Sequence, residues 1–260
     1  MNVRAPTICS SSLLPFHSCE RMVSMLDNAV QLEKETIHLW GCLLDGATST
    51  LNTVQRWLDE EEHRRASRFI REEDSRQYVL AHGCLRAILS RYIGGHPGAL
   101  LFGRQAAGKP VLSRRETDEP LTFNMAHSHG RMLVAVAKSQ EVGTDLEQVR
   151  AEIDLLKLAD RFYARSEYAL IAALPSESQA SMFFRLWVAK EAALKGQGLG
   201  LRSLNECEIV SADHGRGRAI PVAVGSDLQS GWRIQWLSCG TGWEGAVAFQ
   251  GDRIVRLMPE

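Results

Sequence analysis

Val142-Gly-Thr-Asp-Leu-Glu147 reads as a strand, and further along Phe183-Phe-Arg-Leu-Trp-Val-Ala-Lys-Glu-Ala-Ala-Leu-Lys195 reads as a helix. Side chains alternate along a strand, so Asp145 and Glu147 share one face while Thr144 and Leu146 take the other. On the helix, Trp187, Glu191 and Lys195 recur at every fourth position and share a face. If folding brings the two faces together, three carboxylates and one ammonium surround a single point. Hard oxygen ligands of this kind suit Mg²⁺, which keeps several waters and takes substrate phosphate as a remaining ligand. Gly143 permits close backbone approach at the start of the strand.

Each feature also has a plainer reading. An Asp-x-Glu pair on one strand face is often a solvated edge that blunts aggregation. A Glu and Lys four apart are often a surface ion pair, worth about 0.3–0.5 kcal/mol. Two considerations favour a site. The acidic pair sits among apolar residues, where like charges repel unless a cation neutralises them. The helix is crowded with Met182, Phe183, Phe184, Leu186, Trp187, Val188 and Leu194, and charges on a mostly buried helix need partners or a ligand.

The 260 residues suffice for one large domain or two half-sized ones. A hydrophobic share of 45% and a charged share of 23% are ordinary for a globular chain. A formal net charge of -1 argues against a nucleic-acid protein held by long-range attraction to phosphates. Cys9, Cys19, Cys42, Cys84, Cys207 and Cys239 show no Cys-x-x-Cys pair, so free thiols in a reducing compartment are expected. No apolar run is long enough to span a bilayer, and the expected location is the cytoplasm.

Residues 1–35 carry no period and read as an appended, flexible extension. A strand is expected over 36–44, and a polar helix over 60–69 with Asp59 as N-cap. A stronger helix over 74–93 has the apolar stripe Ala81, Cys84, Leu85, Ile88 and Tyr92, and Gly94-Gly95 stops it. Strands are expected over 100–102, 121–125, 131–137 and 142–147, with Gly108-Lys-Pro110 as a turn. Helices follow over 152–163, 166–173 and 177–195, the last ended by Gly196. Strands over 206–210, 232–237, 243–249 and 253–257 close the chain. Helices followed by strands, twice, imply an α+β fold of two halves, 36–140 and 141–260. The strand Gly130-Arg-Met-Leu-Val-Ala-Val-Ala137 is similar to Gly242-Trp-Glu-Gly-Ala-Val-Ala-Phe249, as two half-domains around a pseudo-twofold with a cleft between them would require.

Gly196-Gln-Gly-Leu-Gly200 follows a helix instead of joining a strand to one, so it is a cap and not a dinucleotide loop. His127 and His129 lack a placed third zinc ligand, and their strand end suits anion contacts better. If the loops converge, Lys109 and His127 supply positive charge to phosphates. No Walker loop, Gly-x-Ser-x-Gly or His-Glu-x-x-His occurs.

The strand and helix motifs, in this order and separation, resemble the two signature motifs of the 4′-phosphopantetheinyl transferases, the larger, surfactin-synthetase-activating type above all. Gly108-Lys-Pro110 followed by Phe123-Asn-Met-Ala-His-Ser128 resembles that family's third pattern, and Arg65-Ala-Ser-Arg-Phe69 with Arg86 its N-terminal pattern. The resemblance implies transfer of the 4′-phosphopantetheine arm of coenzyme A to a serine of an apo acyl, aryl or peptidyl carrier protein. It implies a monomer of two similar halves with coenzyme A between them. By position, Asp145, Glu147 and Glu191 would hold Mg²⁺ on the pyrophosphate and Lys195 would neutralise the same phosphates. Arg65, Lys109, Asn124 and His127 would hold the nucleotide end, including its 3′-phosphate. A serine hydroxyl needs its proton removed, and Glu191, on a helix facing the cleft, is read as the general base, directly or through a water.

Two positions depart from the family. Ala126 stands where the family usually has serine, a loss of about 1–3 kcal/mol if a buried acceptor goes unpaired. Glu62 stands where a basic residue is common. Two other readings remain open on sequence: a non-catalytic module that binds coenzyme A or carrier proteins, and another magnesium phosphotransferase such as a kinase. The second lacks a glycine-rich phosphate loop.

Overall fold

The computed structural model describes residues 12–105, 108–113, 120–199, 204–205, 207–209, 219–221, 223–224 and 231–258. The chain first forms β1 (Phe16–Ser18), α1 (Cys19–Ser24), β2 (Thr36–Leu43), α2 (Thr48–Gln55), α3 (Glu60–Ala66) and α4 (Glu72–Ile93). Then come β3 (Phe102–Arg104), β4 (Pro110–Leu112), β5 (Leu121–Ser128), β6 (Arg131–Lys138) and β7 (Val142–Gln148). Three helices follow, α5 (Leu155–Phe162), α6 (Arg165–Ala172) and α7 (Ser176–Gln197). The last strands are β8 (Cys207–Glu208), β9 (Ala219–Pro221), β10 (Ala223–Val224), β11 (Trp232–Leu237), β12 (Trp243–Gln250) and β13 (Ile254–Leu257).

Near-continuous buried runs in β2, β6 and β12 make two sheets that are covered on both faces. One has the order β1-β2-β6-β5, and the other β7-β12-β11-β9. Ile37 and Leu39 of β2 and Leu133, Ala135 and Ala137 of β6 pack with Val142, Leu146, Val247 and Phe249 of the second sheet. The intervening residues Trp40, Cys42, Met132, Val134 and Val136 instead cluster with Leu80, Cys84, Leu85 and Ile88 of α4. In the second sheet, Ile234, Trp236, Ala246 and Ala248 cluster with α7 residues Phe184, Val188 and Ala192. The layers therefore run helices, sheet, sheet, helices, an α+β arrangement in which each buried side chain of this size contributes about 1.5–3 kcal/mol. The similar Val/Ala runs of β6 and β12 reflect this double burial. Among the described residues, no helix is long and apolar enough to cross a membrane.

Three sequence expectations are corrected. From residue 12 onward the supposed flexible extension is part of the fold: Leu14, Cys19 and Met22 are buried, and β1 lies parallel to β2. Gly41 makes room for it, since a Cβ there would stand 2.4 Å from the Pro15 carbonyl oxygen. Residues 1–11 lie outside the described residues. Second, β13, read with the second half, pairs parallel with β2 and so joins the first sheet. Third, α2 had no sequence signal, because its Thr, Ser and Asn content is poor helix material. Packing holds it: Val54 fits against Gly83, where a Cβ would lie 2.2 Å from the valine Cβ. Of the strand expected over 206–210, Cys207–Glu208 is seen, while Glu206 and Val210 lie outside the described residues.

Candidate active site

Two glycines bring α7 against β7. A Cβ on Gly143 would lie 1.9 Å from the Ala192 carbonyl oxygen and 2.3 Å from the Gly196 nitrogen, so helix and strand meet backbone to backbone. Gly196 is equally confined, with the Trp232 ring 2.5 Å from its would-be Cβ. Gly196 is therefore a packing residue within α7, and Gly198, at φ 69°, ends the helix in the left-handed conformation. Two residues beyond Gly143 on the same strand face, Asp145 meets the helix. Its Oδ1 accepts from Lys195 Nζ at 2.6 Å, and the same ammonium lies 3.3 Å from Glu191 Oε2. Asp145 and Glu191 are both buried, and Asp145 Oδ2 has no hydrogen-bond partner among the described residues.

The electrostatics follow from this burial. Desolvation, then the Asp145 charge, pushes Glu191 up to about 7, against the pull of Lys195. Burial likewise raises Asp145, with Lys195 opposing it. Burial works against charge on Lys195, but Asp145 and Glu191 outweigh it and raise its pKa. Glu147 is raised by desolvation and by Asp145, and its carboxylate turns elsewhere: Oε2 accepts from Ser128 Oγ at 2.7 Å and lies 3.5 Å from Arg150. The expected three-carboxylate cage is thus only partly assembled. Among the described residues, no three His, Cys, Asp or Glu side chains are grouped to hold a metal ion.

The 4′-phosphopantetheinyl transferase HetI of Nostoc sp. is 40% identical to this chain over 178 residues, covering 68% of the chain and 75% of HetI. The chain belongs to the 4′-phosphopantetheinyl transferase superfamily. The family model of that description matches residues 141–248, and one described as the N-terminal region of 4′-phosphopantetheinyl transferase matches residues 45–141. The 4′-phosphopantetheinyl transferase Sfp of Bacillus subtilis is 30% identical over 146 residues, 56% of this chain and 62% of Sfp. The 4′-phosphopantetheinyl transferase AcpT of Escherichia coli O157:H7 is 33% identical over 113 residues, 44% of this chain and 55% of AcpT.

In this superfamily member, the residues expected at the nucleotide end divide into two groups. His127 is exposed, and desolvation together with the charges of His82, Lys195 and Arg65 lowers its pKa, so these cations face one region. Arg65 is exposed over the Tyr78 ring, 5.9 Å from its centroid. Lys109 and Asn124 are committed to the protein instead. The buried Lys109 Nζ lies 2.5 Å from Glu141 Oε2 and donates to the carbonyls of Val142 and Gly196 at 3.1 Å each. That exhausts its protons, and the expected phosphate grip becomes a clamp joining the β3–β4 hairpin to β7 and α7. Asn124 Oδ1 accepts from the Thr144 N–H at 2.8 Å and fixes β5 alongside β7. Ala126 is buried.

Sequence reasoning missed two features. Arg64, Arg65, Arg68 and Arg104, with Glu61 and Phe69, line a cleft of about 600 Å³. The run His63-Arg-Arg-Ala-Ser-Arg68 carried that signal, whereas Arg104 arrives from a distant hairpin. The second is the set of partners of Glu62, a residue the sequence marked only as acidic where a basic one is common. Glu62 is buried and accepts from Arg86 Nη2 at 2.6 Å, His82 Nδ1 at 2.8 Å and the Asp59 N–H at 2.9 Å. Burial resists its ionisation, but the bonds from His82, Arg86 and Asp59 prevail and hold its pKa down at about 2.

Proposed function

We propose that this chain transfers the 4′-phosphopantetheine group of coenzyme A to a serine hydroxyl of an apo acyl or peptidyl carrier protein, with Mg²⁺ as cofactor. The carrying observation is the buried Asp145–Lys195–Glu191 cluster, in which a carboxylic acid near 7 sits beside a cation within residues 141–248, the stretch the superfamily model matches. The metal fits the donor set, because Asp145 Oδ2 is buried without a partner among the described residues beside two further carboxylates whose ionised forms burial disfavours. Asp145, Glu147 and Glu191 would hold it. When bound, Mg²⁺ supplies neutralisation of charge on the pyrophosphate oxygens, typically worth several kcal/mol in an enclosed site.

The protein's own groups account for the rest of the step. A serine hydroxyl is a weak nucleophile, and a base titrating near neutrality is suited to remove its proton. Glu191 receives that proton, directly or through a water. The serine oxygen bonds to the β-phosphorus, and the bond from that phosphorus to the bridging oxygen breaks. The electron pair leaves with adenosine 3′,5′-bisphosphate. Lys195 places a fixed positive charge where the phosphoryl oxygens gain negative charge.

Incubation with coenzyme A, Mg²⁺ and a panel of apo carrier proteins tests this reading. One phosphopantetheine mass is expected on the carrier serine, lost on chelation and restored by Mg²⁺. Tight coenzyme A binding without any mass increase on any carrier would leave only the binding-module reading.

A further inference from the structure

His129 follows the motif that ends at Ser128 and takes no part in the proposed step, yet its backbone is in a conformation that side chains rarely adopt. With Gly130 it forms the two-residue turn between β5 and β6, where Ser128 faces Arg131, and both turn residues have positive φ, 44° and 77°. Such a turn favours asparagine and glycine, so a histidine there needs a compensating contact. The contact is with its neighbour: His129 Nδ1 lies 2.8 Å from Ser128 Oγ, and Ser128 Oγ donates to Glu147 Oε2 at 2.7 Å. A hydroxyl has a single proton, and an ionised carboxylate can only accept. The serine proton therefore goes to Glu147, and His129 donates to the serine through its Nδ1–H. The turn that carries this chain of bonds is itself tied down, because the Gly130 carbonyl accepts from the Leu44 N–H at 2.7 Å.

Glu147 is also the carboxylate that Lys195 does not hold. Asp145 and Glu191 share that ammonium, whereas Glu147 is held by Ser128 and, at 3.5 Å, by Arg150. Both partners act on Oε2, and among the described residues nothing bonds Oε1. The Asp145 charge bears on Glu147, and the Glu147 charge on Glu191, so the three carboxylates lie within electrostatic reach of one another. We infer that Ser128, itself oriented by His129, is a positioning residue that presents Glu147 to the divalent cation by holding one carboxylate oxygen and leaving the other free to ligate. A carboxylate free to turn has to be ordered as the cation binds, and here the ordering is built into a rigid hairpin. Neither Ser128 nor His129 touches the reacting atoms. The inference rests on the proposed function for the identity of the cation.

The test reads metal affinity apart from turnover. Mn²⁺, followed by electron paramagnetic resonance, is titrated into the complex of the chain with coenzyme A for the unaltered protein, Ser128→Ala, His129→Gly and His129→Asn. Ser128→Ala should weaken Mn²⁺ binding about tenfold and raise the Mg²⁺ requirement of transfer in step, while kcat at saturating Mg²⁺ changes less than about threefold. His129→Gly suits the turn and removes only the ring, so it should melt no lower than the unaltered chain and still weaken Mn²⁺ about threefold. His129→Asn keeps both the turn and a donor and should stay within about twofold of the unaltered chain. Coenzyme A binding without metal, measured by calorimetry, should be the same in every variant. Unchanged or tighter Mn²⁺ binding in Ser128→Ala overturns the inference, because the serine would then be restraining Glu147 instead of presenting it. An equal loss of metal-free coenzyme A binding also overturns it, by making Ser128 a contact to coenzyme A. Unchanged affinity in His129→Gly overturns the part assigned to the histidine. If Asp145→Asn abolishes Mn²⁺ binding while Ser128→Ala does not, the metal reading holds and the inference falls. If the unaltered complex binds no Mn²⁺, both fall. If metal affinity follows Ser128 but no carrier is modified, the transfer reading fails and the inference stands.

Discussion

At the scale of single residues, the site depends on a carboxylic acid that the fold keeps from ionising easily. The acid Glu191 is ordinarily near 4.5 and is pushed up to about 7, so folding disfavours its charged form. The sign follows: the group costs nothing below its unfolded value and subtracts stability progressively as pH rises from about 4.5 towards about 7. Glu191→Gln should therefore melt at or above the temperature of the unaltered chain at pH 8 while turnover falls at least about a hundredfold. Calorimetric melts and carrier mass shifts measure the two halves of that expectation, and a variant that is both active and unchanged in melting would remove Glu191 from the mechanism. Lys195→Ala should also lose at least about a hundredfold, because it leaves Asp145 buried without its cation. Protons and Mg²⁺ compete for the same carboxylates, so the Mg²⁺ concentration for half-maximal transfer should fall between about pH 5.5 and about pH 7.5. The residues in this cluster were legible in the sequence because strand alternation and helical four-residue spacing each present them on one face. The turn of Glu147 towards Ser128 was not, since a partner on β5 decides it.

At the scale of elements, the meeting of β7 and α7 is set by what is missing from Gly143 and Gly196. Gly143→Ala would drive a methyl group into the Ala192 carbonyl, and the overpacking should cost on the order of 3 kcal/mol or displace α7 and abolish transfer. A thermal melt with no shift, together with normal turnover, would refute the close-contact account. On its other side α7 is fixed by a fully buried ion pair, Lys190 Nζ to Glu167 Oε2 at 2.5 Å. Glu167 also accepts from the N–H groups of Ala164 and Ile209, so it ties α6, α7 and the end of β8. Lys190→Met leaves Glu167 without its cation and should destabilise by about 3–5 kcal/mol in denaturant titrations, whereas the double change to apolar residues should recover much of the loss. Lys190 precedes Glu191, yet nothing in the local sequence separates the structural charge from the chemical one. Only the side of the helix on which each partner lies does so.

At the scale of the molecule, the two sheets are joined by a third apolar cluster and by Arg131, whose guanidinium lies 4.7 Å from the Phe16 ring centroid and 4.4 Å from that of Trp243. Its Nη1 also donates to the Cys239 carbonyl at 2.7 Å. Removing residues 1–24 deletes one wall of that sandwich and strips Cys19 and Met22 from the first core. The truncated chain should melt several degrees lower, on the order of 2–4 °C per kcal/mol lost for a chain of this size, and an unchanged melt would show that β1 and α1 are dispensable. Periodicity and spacing within one element were enough to read the α+β class and the long helices, and to put Asp145 with Glu147, and Glu191 with Lys195, on shared faces. Only long-range packing sets β1 and β13 on the free edge of β2, turns Lys109 into a clamp, and buries Glu62 against His82. Each of these is a contact between segments far apart in the chain, and no local period encodes which distant partner satisfies a charge or covers a strand edge.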